Sequence, residues 1–317
     1  MLRVLAYHRI DWLDSRADLH PGLISATPPV FEAQMRHVAS RYVPVSLAQV
    51  LAAAGGAEPL PPRAVLVTFD DGYRDFAQHA WPVLKRYGVP AVLFVPTSYV
   101  SDASKPFWWD RLHRAVFGTQ TPEIAFGASR GWLRSREDRG RTRDAIAAHV
   151  KTLPARAAIS AIDDICRELG DSPAQDRSVL NWAELRSLAA DGVVVGAHTR
   201  THPILPNVAA GDLRSEIAGS LEDLVEHLGA APPAFCYPNG SVDERSAEAL
   251  REAGVKVAFT MRDGHNDLRS CDLLRLRRTG VTTRTGATIL RLRLLRAVSY
   301  VDMLRHGRMR PETAVRH

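Results

Sequence analysis

Cysteine is scarce in this chain. Cys166, Cys236 and Cys271 are the only three among 317 residues, and their odd number and wide spacing argue against a disulfide framework and fit a reducing compartment. No uninterrupted apolar stretch of about twenty residues is present that could span a bilayer. No apolar signal segment precedes Leu2-Arg3-Val4-Leu5-Ala6-Tyr7, which already reads as a strand, so the expectation is a cytoplasmic protein. Neither an internal repeat nor a nucleic-acid-binding motif is found. The formal charge of +6, from 41 basic against 35 acidic residues, is therefore weak support for a nucleic-acid partner, and none is expected. What remains is ordinary globular composition, 45% hydrophobic and 24% charged, in a chain long enough for one large α/β domain.

Apolar, β-branched runs alternate with helical patterns along the chain, the signature of βα units around a parallel sheet. Strands are predicted at 2–7, 64–69, 91–95, 192–197, 233–237 and 255–260, with a weaker one near 274–281. Ser46, Asn181 and Ser241 each precede a Gln or Glu by three residues and read as helix N-caps. Leu213, Ile217, Leu221, Leu224 and Leu228 fall at helical spacing, a stripe that should pack on the sheet. Between Val95 and Gly192 the chain runs far longer than a normal βα connection, which predicts an insertion over about 101–180. It holds Trp108-Trp109-Asp110, arginines at 130, 134, 136, 139, 141 and 143, and a helical pattern from about Pro154 to Leu169.

Two strand ends carry chemistry. Thr68-Phe69-Asp70-Asp71-Gly72 follows Ala64-Val65-Leu66-Val67 and turns at a glycine. Adjacent residues on an extended chain point to opposite sides, so one carboxylate can bind metal while the other stays free as a base. His198-Thr199-Arg200-Thr201-His202 follows Gly192-Val193-Val194-Val195-Gly196-Ala197, and a helical turn there would put both imidazoles on one face. Two histidines and one carboxylate with open positions make a catalytic rather than a structural metal site. A lone Asp-Asp-Gly is usually a turn and a lone His-x-x-x-His is usually not a ligand pair, but both at strand ends of one chain reverse that expectation.

Together with Phe235-Cys236-Tyr237-Pro238-Asn239-Gly240, these motifs resemble those of the polysaccharide deacetylases, the NodB-homology group in carbohydrate esterase family 4, over roughly residues 1–285. The resemblance implies a distorted (β/α) barrel with a helical insertion and a metal at the strand C-terminal ends. It implies Asp70 as catalytic base, Asp71, His198 and His202 as ligands, and Tyr237 as a residue whose backbone N–H binds the oxyanion. The reaction implied is hydrolytic N-deacetylation of an amino sugar within a polysaccharide, oligosaccharide or lipid-linked saccharide. The ligand set suits Zn2+, with Co2+ or Ni2+ also able to occupy it.

The chain departs from the common pattern at two points. The late Leu-x-Leu-His histidine that many relatives use as general acid has no clear equivalent, since His265 sits in Gly264-His265-Asn266. His8, in Ala6-Tyr7-His8-Arg9, ends the first strand and resembles the N-terminal Tyr-His element of a permuted-motif subgroup, which makes it the candidate acid. No arginine stands just upstream of the Tyr-Pro element, and Arg278, following Arg277 where the subgroup has proline, is the candidate to orient the base. Trp108 and Trp109 could stack on a sugar ring, and Tyr73 could line the cleft. Their alternative role is packing, the role also expected of His79 and His113. Residues 286–317 form a basic tail whose Leu290, Leu294, Ala297, Val298, Val301 and Leu304 make an apolar stripe. It either packs on the barrel or makes peripheral contact with the inner membrane face.

Two further functions remain open at this stage, a non-catalytic saccharide-binding or assembly protein on the same fold and a hydrolase of non-sugar C–N bonds. Intact Asp70, Asp71, His198 and His202 argue against the first. A two-carboxylate glycosidase is disfavoured because adjacent aspartates cannot flank a glycosidic bond at the usual separation.

Overall fold

The computed structural model describes residues 1–102, 104–170 and 177–295. Its strands are β1 (Arg3–Tyr7), β2 (Arg9–Ile10), β3 (Ile24–Ala26), β4 (Val43–Pro44), β5 (Ala64–Phe69), β6 (Ala91–Val95), β7 (Glu123–Phe126), β8 (Ser129–Trp132), β9 (Val194–Ala197), β10 (Ala234–Cys236), β11 (Val257–Phe259) and β12 (Thr279–Gly280). The longer helices are α1 (Pro28–Arg41), α2 (Leu47–Ala54), α3 (Trp81–Tyr87), α4 (Thr97–Ser101), α5 (Trp108–Gly118), α6 (Arg136–Val150), α7 (Ala155–Leu169), α8 (Trp182–Ala190), α9 (Ala210–Leu228), α10 (Glu244–Glu252) and α11 (Ala287–Arg293).

The main sheet runs β11-β10-β9-β6-β5-β1-β12 with every pairing parallel, and β4 adds to the start of β5. A parallel bridge from Phe259 to Leu276, just before β12, brings the two ends of this curled sheet together, giving the expected distorted (β/α) barrel. Parallel strands covered on both faces read as continuous apolar runs, and alternate residues serve two cores. Val4, Leu66, Val92, Phe94, Cys236 and Phe259 fill one. Leu5, Val65, Val67, Leu93 and Val95 pack in the other with the surrounding helices.

Strands 64–69 and 91–95 form as predicted, those at 2–7, 192–197, 233–237 and 255–260 are shortened by a residue or two at one end or both, and of the weaker run at 274–281 only Thr279–Gly280 is a strand. Ser46 and Asn181 make the expected capping boxes with Gln49 and Glu184. The third cap is corrected. Asp243, not Ser241, caps α10 by accepting from Ser246 N–H at 2.9 Å, because the helix begins at Glu244 and the residue just before it is the one whose side chain reaches the free amides of the first turn. Leu213, Ile217 and Leu224 of the predicted stripe are buried in the core.

The insertion folds around a core of its own. Helices α5, α6 and α7 and the antiparallel hairpin β7–β8 enclose Leu112, Val116, Ile124, Leu133, Ile146, Ile162 and Cys166. Of the tail, Leu290 and Leu294 are fully buried against the barrel, each contributing about 1.5–3 kcal/mol of apolar burial. The predicted stripe beyond 295 lies outside the described residues. Among the described residues no helix is long and apolar enough to cross a membrane.

Candidate active site

Strand β5 delivers its two aspartates to the mouth of the barrel. Asp70 still pairs as a strand residue, its N–H donating to Tyr7 O at 2.9 Å. The chain then reverses through a left-handed pair, Asp71 at φ 74° and Gly72 at φ 68°, a conformation an aspartate holds only when its surroundings enforce it. At Gly72 a side chain is excluded both by that φ and by Val95, whose Cγ1 would stand 2.9 Å from an added Cβ. The two carboxylates do part company, but this reversal separates them rather than strand alternation.

Asp70 belongs to a dry ion pair. Arg278, fully buried, donates to its two oxygens at 2.8 and 2.7 Å and is itself held by Thr260 O at 2.9 Å and Thr68 Oγ1 at 3.1 Å. The Cys236 thiol lies 3.5 Å from each oxygen. Burial alone would raise the Asp70 pKa, but the Arg278 guanidinium outweighs it and holds the carboxyl well below the usual carboxylate range. His8 follows β1, and its Nε2 lies 4.0 Å from Asp70 Oδ2 with a quarter of the side chain open to solvent. The competing His265 precedes Asn266, which bridges to Leu2. Leu2 and His8 flank opposite ends of β1, ~20 Å apart at ~3.3 Å per residue, so the fold puts His8 rather than His265 beside the aspartates.

Asp71 faces the histidines. Its Oδ1 lies 3.6 Å from His198 Nε2 and 3.2 Å from His202 Nε2, and the two rings meet edge to face with centroids 4.8 Å apart. His198 Nδ1 is 2.6 Å from the Cys236 carbonyl, an acceptor, so Nδ1 carries the hydrogen and the Nε2 lone pair points at Asp71. Burial, reinforced by His202, pushes the His198 pKa down to about 4, which keeps it in the neutral form a metal requires. Despite the short approach of His202, buried Asp71 Oδ1 makes no well-aligned hydrogen bond. An orphaned carboxylate oxygen beside two imidazole nitrogens fits a cation, and Asp71, His198 and His202 could hold one. Asp70, His198 and Cys236 also lie close together, but Arg278 saturates Asp70 and burial pushes the Cys236 thiol up, so it stays protonated.

The loop from His198 to His202 is not helical, contrary to the expectation from its spacing. Thr199 and His202 take φ 67° and 60°, and α9 holds the loop in that shape. Glu216 accepts from Arg200 N–H at 3.0 Å, Thr201 N–H at 2.9 Å and Thr201 Oγ1 at 2.6 Å. Arg200 pairs with both oxygens of Asp223, crossing α9 at Gly219, where an added Cβ would stand 2.4 Å from its Cζ. Sequence reasoning missed Glu216 and Asp223. The one available signal was a glycine inside an otherwise regular amphipathic helix.

Four expected roles are corrected. Tyr73 is buried, accepting from Trp109 Nε1 at 2.8 Å and donating to Asp110 at 3.2 Å, so it cannot line an open cleft. Trp109 is buried with Phe107 stacked on it and sets its ring edge-on to His202 at 4.9 Å, which makes it a wall behind that imidazole rather than a sugar platform. Trp108 packs partly buried between the barrel's outer core and the core of the insertion, edge-on to Trp109. The Tyr237 N–H donates to Phe259 O at 3.1 Å, so the β10–β11 ladder occupies the donor expected for an oxyanion. His79 is half-buried, while buried His113 stacks on His20 at 5.8 Å.

Comparison with known proteins agrees with this geometry. A poly-β-1,6-N-acetyl-D-glucosamine N-deacetylase of Escherichia coli (strain K12) is 39% identical over 89 residues, 26% of this chain and 13% of that protein. The match therefore spans a small fraction of the relative's length. Among solved structures, the Streptococcus pyogenes deacetylase PplD in complex with acetate superposes with TM-score 0.61 at 18% identity, covering 93% of this chain and 98% of that one. IcaB from Ammonifex degensii gives 0.59 at 21% identity, covering 93% and 97%. At such identities these two establish the fold. The polysaccharide deacetylase family model matches residues 57–258, more than half of the chain, with Asp70, Asp71, His198, His202 and Tyr237 inside the match and His8 and Arg278 outside it. The chain belongs to the polysaccharide deacetylase family.

Proposed function

We propose that the protein is a metal-dependent N-deacetylase that removes acetyl groups from amino sugars of a polysaccharide, oligosaccharide or lipid-linked saccharide. One observation carries this reading: an ionised, arginine-paired aspartate stands between a solvent-reaching histidine and a cluster of two histidines and one carboxylate that fits a cation. Asp71, His198 and His202 would hold the ion, and their chemistry suits zinc, with cobalt or nickel as alternatives. When bound there, a divalent ion supplies the electrophile that polarises the acetyl carbonyl and acidifies water.

The protein's own groups supply the proton transfers. Asp70, fixed by Arg278, takes a proton from the attacking water at its carboxylate. His8 holds a proton at Nε2 and delivers it to the departing amine, which an amide needs because its nitrogen anion is prohibitively basic. His198 stays neutral and oriented through its Nδ1 bond to Cys236 O. Mass spectrometry of N-acetylated oligosaccharides incubated with metal-loaded protein tests the reading. Loss of one acetyl unit, with matching acetate release, is expected; unchanged glycans across neutral and charged substrates contradict it.

A further inference from the structure

Among the described residues, the insertion places a lysine without a carboxylate partner at the rim of the barrel. Lys151 follows α6, and its Nζ donates to Asn239 Oδ1 at 3.1 Å, two residues beyond Tyr237 on the loop after β10. The lysine backbone is tied down as well, since its carbonyl accepts from Asn207 Nδ2 at 2.8 Å. Among the described residues no carboxylate lies within ion-pair distance of Nζ. Burial lowers its pKa, and only Asp144, further out, opposes that shift. A half-buried ammonium held by one neutral amide keeps its charge and further N–H donors to offer an anion.

The neighbouring groups add donors rather than negative charge. His20, on the connection between β2 and β3, accepts from Gly22 N–H through Nδ1 at 3.3 Å, which leaves Nε2 as its N–H. Its ring senses the charges of Arg143, Lys151 and Arg9. Arg143 donates to His113 Nδ1 at 3.3 Å while Asp144 balances its charge. Asp110, buried beneath, is engaged by His20 N–H at 2.7 Å and Tyr73. Lys151 is thus the uncompensated charge, with the His20 imidazole and the Asn239 amide beside it.

We propose that Lys151 is a specificity determinant that binds an anionic substituent, a carboxylate or phosphate, on the saccharide being deacetylated. The inference rests on the deacetylase reading and extends it to a substrate class. The barrel supplies the chemistry, and the insertion supplies charge selection through a charge-assisted hydrogen bond.

Deacetylation is to be measured on three oligosaccharides of equal length: a neutral N-acetylglucosamine oligomer, one alternating with uronic acid, and one carrying a 6-phosphate. Wild type is expected to favour one charged substrate over the neutral one by about tenfold in kcat/KM, through KM, and less so in high salt. Which charged oligomer is preferred separates carboxylate from phosphate. Lys151→Gln should bring the ratio to near one and Lys151→Arg should keep most of it, with thermal midpoint and metal content confirming that both variants fold. Equal rates in wild type, or a preference that survives Lys151→Gln, overturn the proposal. If no substrate releases acetate, the deacetylase reading falls, and calorimetric titration with inorganic phosphate still decides the subsite. Binding lost in Lys151→Gln supports it, and no Lys151-dependent binding overturns it.

Discussion

Asp70 and Asp71 are neighbours in sequence and occupy opposite electrostatic settings. The Asp70 side is complete: Arg278, Thr68 and Cys236 surround the carboxylate and every charge is matched. The Asp71 side is unfinished, with a buried oxygen lacking an aligned hydrogen bond and two imidazoles facing it. Asp70 is given its counter-charge by the fold, whereas the cluster of Asp71, His198 and His202 is left short of one positive charge. Half a turn of left-handed backbone at Asp71 and Gly72 separates the two regimes.

The largest effect should come from the unfinished side. His198→Ala or His202→Ala removes one of three ligands, so metal content and acetate release should fall together, by well over the ~100-fold that outer-sphere partners command. Full occupancy with normal turnover in either variant would remove the ligand assignment. On the complete side, Arg278→Met strands a buried carboxylate and should cost about 3–5 kcal/mol in denaturant unfolding. Adding Asp70→Asn to it should restore most of that stability. If the single variant is as stable as wild type, the pair is not the matched ion pair described.

His8 sits between the two regimes. His8→Ala should slow amide hydrolysis by roughly 10²–10⁴-fold yet spare an acetylated phenol, whose leaving group needs no proton, and the basic limb of the amide pH–rate profile should move. Equal losses on both substrates would make the residue structural. The smallest effect concerns acid. His198 has a native pKa of about 4 against an ordinary value near 6.5, so the unfolded chain binds its proton first. Stability of the metal-free protein is present above pH 6.5 and lost as pH falls from 6.5 towards 4, at up to about 1.4 kcal/mol per pH unit from this group. Buried His113, also pushed down to about 4, acts in the same direction. A thermal midpoint unchanged across that window contradicts the burial of a neutral His198.

The barrel was legible because its strands are buried on both faces, and runs such as Ala64–Phe69 and Ala91–Val95 announce this in composition alone. The candidate cluster of Asp70, Asp71, His198 and His202 was legible as residues at two strand ends that the parallel sheet brings to one rim. Arg278 was picked out by motif likeness, and its bidentate grip on Asp70 is geometry that no spacing conveys. Backbone reversals were illegible: Asp71, Thr199 and His202 all take positive φ without being glycine, so a helical reading of the histidine loop failed. Glu216 looked like one more polar helix residue, although it holds two amides of that loop. Tyr73 and Trp109 looked like cleft aromatics because sequence does not tell an exposed ring from a buried one.

Metal analysis of Asp70→Asn beside Asp71→Asn tests the division between the two carboxylates most directly. Each purified variant is titrated with Zn2+ against a competing chelator and assayed for acetate release. Asp70→Asn should keep near wild-type metal affinity while losing most activity, and Asp71→Asn should lose both. Equal metal affinity and equal residual rates in the two variants would contradict the account.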